Sequence, residues 1–190
     1  AVIFVSYVSF IAVVFFALYI FAIWFYSHKL KRMPITGNLV SAILTVTPFF
    51  AIFIYYKNFE LVVFMHALFL FLLVSMRELT KDLENIRGDF ALNYRTVPVV
   101  YGEKTSKLLL TGASVITCIS AFLLIFYFEI GYMYFFFYAS VILLLVYLLL
   151  LWKSNTRNHY LWLHNILKLI IVAGVFSILL IDVNLVLNRL

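Results

Sequence analysis

Residues 107–129 read KLLLTGASVITCISAFLLIFYFE, and the 21 positions between Lys107 and Glu129 carry no charge. A helix rises about 1.5 Å per residue, so about 20 such residues cross the hydrocarbon core of a bilayer. Five further runs of this kind lie at 2–26, 39–56, 60–76, 132–152 and 160–181. Only helices and closed barrels satisfy every backbone group in lipid, and unbroken apolar runs exclude the alternating strands of a barrel. The fold class is all-α, a polytopic transmembrane helical bundle with six spans.

The composition agrees. Of 190 residues, 66% are hydrophobic and 12% charged, against roughly half and about a quarter in a soluble domain. A soluble globular protein is excluded, because so few polar groups cannot cover the surface. The net charge of +6 points to membrane topology and anionic ligands, with no nucleic-acid partner. Cys118 is the single cysteine, so no intramolecular disulfide forms and packing is its expected role. The first run is too long for a signal peptide and lacks a basic leader. The chain reads as one transmembrane domain over 1–190, expected to be incomplete at its N-terminus because it starts inside a span without methionine.

Basic residues test the span count. The first, third and fifth connections hold eleven Lys and Arg, among them Lys29, Lys31 and Arg32 in the first and Lys153 and Arg157 in the fifth. The opposite side holds Lys57 and Arg189. By the positive-inside rule the odd connections are cytoplasmic.

The third connection, 77–106, is the one long polar segment, and 77–89 carry seven charges in 13 residues. Charges are too costly at mid-bilayer for this stretch to sit in lipid. At helical spacing Glu78, Asp82, Asn85 and Asp89 fall within a sector of roughly 60°. Leu79, Leu83, Ile86 and Phe90 form a second, apolar stripe, and Gly88 predicts a helix end or kink before Asp89. Carboxylates at i and i+7 with an amide between them suit a hard cation such as Mg²⁺, shared with substrate phosphates. A solvated amphipathic loop helix with internal ion pairs explains the same charges. Elsewhere, His164 and Lys168 share a face near the polar end of the last run and read as side chains snorkelling to the interface. His66, mid-span, predicts a helix-to-helix hydrogen bond.

Taken together, Lys81-Asp82-x-x-Asn85-x-x-Gly88-Asp89, Arg95-Thr96-Val97-Pro98 and Gly102-Glu103-Lys104 resemble the second aspartate-rich motif of the UbiA superfamily of intramembrane prenyltransferases. Tyr26-Ser27-x-x-Leu30-Lys31-Arg32-x-Pro34-x-x-Gly37-Asn38 resembles the segment after that family's fourth helix. The resemblance implies a nine-helix fold of which the six spans are helices four to nine, with the first aspartate-rich motif absent and the chain alone expected to be inactive. It implies transfer of a prenyl group from a polyprenyl diphosphate to a membrane-associated acceptor, either a glyceryl phosphate lipid or a quinone-precursor aromatic.

On that resemblance Asp82, Asp89 and Asn85 form the catalytic centre and bind Mg²⁺, with Glu78 as a further ligand. Lys29, Lys31, Arg32, Lys81 and Arg95 face the diphosphate, and Tyr26, Ser27 and Asn38 line the substrate pocket. Asn85 stands where much of the family has aspartate, which lowers the charge available to the metal. The expected location is a multi-pass protein of the cell inner membrane with its motif loops in the cytoplasm. A transporter-like bundle and a non-catalytic membrane remnant are the alternatives. The former calls for ionisable residues through several mid-spans, and His66 is the clear case.

Overall fold

The computed structural model describes residues 10–55 and 59–177. The start of the first run, the end of the sixth, Lys57 and Arg189 lie outside the described residues. Among the described residues, seven α-helices follow in order: α1 Phe10–His28, α2 Thr36–Tyr55, α3 Leu61–Glu84, α4 Ile86–Ala91, α5 Val97–Tyr127, α6 Tyr134–Lys153 and α7 Arg157–Ser177. Short 3₁₀ turns at Leu30–Arg32 and Gly131–Met133 precede α2 and α6. No strand occurs among the described residues, as the apolar runs predict.

Among the described residues, five helices are long and apolar enough to cross a membrane: α1, α3, α5, α6 and α7. The remaining run is helical as expected, but its described apolar stretch, Thr36–Ala51, is shorter. The protein is an integral, multi-pass membrane protein.

Helix α3 is the hub, packing on α2, α5 and α7, while α6 closes against α5 and α7. Its contact with α5 is made by small hydroxyl residues, Ser114 and Thr117, which let two helices approach closely. Their hydroxyls lie 3.9 and 3.6 Å from Met76 Sδ and bond back to their own helix. Leu73, Leu110, Leu124, Leu144, Tyr147 and Leu167 fill the centre, each 0–1% exposed.

Helix α2 carries Pro48 inside it. Proline has no N–H, so the carbonyl four residues earlier loses its helical donor. That carbonyl is Leu44, and Tyr19 of α1 donates its hydroxyl to it at 2.8 Å. A backbone group orphaned in lipid is thus satisfied from the neighbouring helix, as the bilayer requires.

Two expectations for the polar segment need correcting. Helix α3 runs on past 76 to Glu84, and the break falls at Asn85 (φ −109°, ψ 17°) rather than at Gly88. Gly88 lies inside α4, where nothing crowds it. The break resets the helical phase, so the apolar stripe stops short: Leu79 and Leu83 are buried, whereas Phe90 is 73% exposed.

Candidate metal and diphosphate site

The site forms where the first and third connections meet at one end of the bundle. After α1 the chain tightens into the Leu30–Arg32 turn and reverses through Pro34 and Ile35. Ile35 takes φ 60°, a strained value for a β-branched residue. A Cβ on Gly37 would sit 3.0 Å from the Leu30 carbonyl oxygen and 3.4 Å from that of Lys31. Only glycine lets α2 start this close to the turn. Asn38, one residue on, then faces α3, and its Nδ2 donates to Asp82 Oδ2 at 2.9 Å.

The far side is built by the loop after α4. Asn93 adopts φ 54°, a left-handed conformation that asparagine tolerates, and Tyr94 N–H donates to the Asp89 carbonyl at 2.8 Å. Arg95 N–H then donates to the Arg32 carbonyl at 3.2 Å, fastening the loop to the first connection. Lys31 Nζ and Arg32 Cζ stand 5.9 and 5.8 Å from the centre of the Tyr94 ring, within cation–π range. Tyr94 was not among the residues singled out in the sequence, and only its place between motif residues pointed to it.

Asp82 and Asp89 are close enough to interact electrostatically, with Glu78 and Lys81 in the same field. Glu78 is held in ion pairs, 3.1 Å from Arg77 and 3.4 Å from Lys81. Asp89 lies beyond the spanning part of α3. Loss of hydration raises its carboxyl above the usual aspartate range, and Thr96, Lys81 and Lys31 oppose the rise. The charges of Lys81 and Lys31 therefore act on one carboxylate from two different connections.

Lys29, in contrast, just past the end of α1, lies over the ring of Phe25 in that helix at 6.0 Å. Among the described residues no hydrogen bond or ion pair joins Tyr26, Ser27 or Lys29 to the acidic pair.

Among the described residues no three His, Cys, Asp or Glu side chains cluster as a metal cage. What the site offers is two carboxylates that sense each other's charge, the amide of Asn85 between them in the sequence and several cations. Such hard, incomplete oxygen donors fit Mg²⁺, which keeps waters and takes further ligands from phosphate.

Two histidines away from the acidic pair differ from expectation. His164 does not snorkel: it is 7% exposed, and its Nδ1 lies 3.2 Å from Glu84 Oε2, while Lys168 is exposed. The acid at the end of α3 supplies the buried partner that makes this position favourable. His66 Nδ1 meets the Val62 carbonyl of its own helix at 2.7 Å, rather than another helix. Its ring meets Phe137 edge-on at 5.5 Å. Glu103, of the Gly102-Glu103-Lys104 segment, pairs with Lys107 at 2.9 Å and accepts the Tyr160 hydroxyl. Lys107 Nζ also donates to the Ser154 carbonyl at 2.6 Å. This network joins the start of α5 to the fifth connection. Gly102 makes the kink there, with φ 85° and ψ 167°.

The fold and site together define a helical membrane protein with acidic and basic groups gathered at one end of the bundle. The chain belongs to the UbiA prenyltransferase family, whose model matches residues 1–169. It is similar to the digeranylgeranylglyceryl phosphate synthase of Methanobrevibacter smithii, 34% identical over 117 residues, 58% of this chain and 41% of the relative. The synthase of the same name from Methanosphaera stadtmanae is 37% identical over 110 residues, 57% and 40%. That from Pyrococcus furiosus is 36% identical over 113 residues, 59% and 40%. The chain spans about two fifths of the length of these curated relatives. No solved structure was found to match it.

Proposed function

We propose that the protein acts in Mg²⁺-dependent transfer of a prenyl group from a polyprenyl diphosphate to a membrane-associated acceptor, a glyceryl phosphate lipid. The observation that carries this reading is the Asn38–Asp82 hydrogen bond, which joins the two segments resembling family motifs. The names of the similar synthases favour a glyceryl phosphate acceptor over a quinone-precursor aromatic.

Breaking the allylic C–O bond leaves positive charge on the prenyl carbon and negative charge on the departing diphosphate. Catalysis therefore rests on stabilising the leaving group. Asp82, Asp89 and Asn85 would hold the metal, with the Glu78 charge beside them; bound there, Mg²⁺ supplies positive charge to the diphosphate. Asn38 holds the Asp82 carboxylate in place. Lys31, Arg32, Lys81 and Arg95 are assigned to the remaining phosphate charge, the arginines through their planar forks. Lys29 sits at the edge of this group, and Tyr26 and Ser27 are assigned to the substrate side of α1. The acceptor hydroxyl forms the new C–O bond, and its proton passes to the departing diphosphate.

The test is prenyl transfer by the full-length protein with each acceptor class, with and without Mg²⁺, in the wild type and in Asp82→Ala. The expected result is metal-dependent alkylation of the glyceryl phosphate lipid, lost in the variant. Unchanged product formation in Asp82→Ala would remove the assignment.

A further inference from the structure

The Thr96 hydroxyl is buried beside the Asp89 carboxyl. The residue precedes α5 and is 8% exposed, yet its side chain does not cap the helix. Its main-chain carbonyl accepts the Val100 N–H at 3.0 Å. The Oγ1 is shut off from solvent and closes no hydrogen bond. Leaving a buried hydroxyl unpaired opposes folding, so this hydroxyl is explained by a state in which it is paired. Its neighbour is Asp89, whose charged form the Thr96 side chain favours. The left-handed turn at Asn93 and the Tyr94 bond to the Asp89 carbonyl fold the loop back and bring the two together.

We infer that Thr96 is a positioning residue for Asp89: its hydroxyl donates to the Asp89 carboxylate when that carboxylate engages a divalent cation, fixing the oxygen that faces the metal. The inference rests on the reading of Asp89 as a metal ligand given above. Hydrogen-bonded partners behind a metal ligand orient it, and their loss typically weakens metal binding by about 10- to 100-fold. Because Thr96 is occluded, it acts through the carboxylate and does not touch the diphosphate.

The experiment measures Mn²⁺ binding by electron paramagnetic resonance, together with metal-free thermal unfolding, for the full-length wild type, Thr96→Val, Thr96→Ser and Asp89→Ala. Thr96→Val is expected to bind Mn²⁺ at least about tenfold more weakly, with metal-free unfolding unchanged or higher because only an unpaired hydroxyl is removed. Thr96→Ser is expected to restore binding to within about threefold of wild type, since it keeps the donor. Wild-type affinity in Thr96→Val, or no recovery in Thr96→Ser, overturns the inference and leaves the reading of Asp89 standing. Wild-type affinity in Asp89→Ala overturns that reading and the inference with it.

Discussion

Asn38 Nδ2 donates to Asp82 Oδ2 at 2.9 Å, joining residues 44 positions apart on two helices. The bond leaves the second carboxylate oxygen of Asp82 available and sets its direction. Asn38→Ala should therefore raise the Mg²⁺ concentration for half-maximal prenyl transfer about tenfold, in the range seen when a partner behind a metal ligand is removed. Asn38→Asp should do more harm, since it replaces a donor with a like charge at hydrogen-bonding distance. Metal titrations of both variants check this, and a wild-type Mg²⁺ curve for Asn38→Ala would refute it.

The charge of Glu78 is already shared with Arg77 and Lys81, which weakens what it can offer a metal in place of the carboxylate that Asn85 lacks. On the proposed reading, Asn85→Asp should lower the Mg²⁺ requirement, because a third ionised oxygen ligand would join Asp82 and Asp89. Glu78→Gln should shift it less than Asp82→Asn does. The ordering is read from the same titrations, and an Asn85→Asp variant that needs more metal than wild type would count against Asn85 as a ligand.

The apolar runs were legible because lipid imposes one rule on every span, and the acidic sector was legible because spacing orders residues on one helix. Contacts between helices were not. Glu84 and His164 lie 80 positions apart, and nothing in the periodicity of either helix announces the other. The helix breaks at Asn85 and not at Gly88 for a related reason. Glycine marks where a helix ends most easily, but here packing of Leu83 and Ile86 against the core decides where it does end. Asn38 and Asp82 were each singled out from their motifs, while their hydrogen bond is a product of the close approach at Gly37. The Thr96 hydroxyl left no trace in the sequence beyond its place in a motif, since its burial beside Asp89 is a property of the fold.

Behind Asp82 on α3, Thr80 bonds the Tyr147 hydroxyl of α6 at 2.8 Å, and both residues are fully buried. The two ends are unequal. Thr80 also donates to the Met76 carbonyl at 2.8 Å, so Tyr147→Phe leaves it satisfied. Thr80→Val leaves the tyrosine hydroxyl unpaired, at a cost of about 1–3 kcal/mol. Thermal unfolding in detergent should therefore drop further for Thr80→Val than for Tyr147→Phe. Equal losses would mean that the hydrogen bond itself is not what these positions contribute.

The Tyr19 hydroxyl and Pro48 make a pair that never touches, because they meet at the Leu44 carbonyl. Proline removes that carbonyl's helical donor, and Tyr19 supplies another at 2.8 Å. Tyr19→Phe should then destabilise the packing of α1 on α2 by about 1 kcal/mol, the usual worth of one such bond. Pro48→Ala returns a backbone N–H to Leu44, so the same Tyr19→Phe change should cost much less in that background. A double-mutant cycle read by denaturant unfolding in detergent isolates this coupling. A tyrosine effect of the same size with and without Pro48 would show that Tyr19 acts through its ring packing alone.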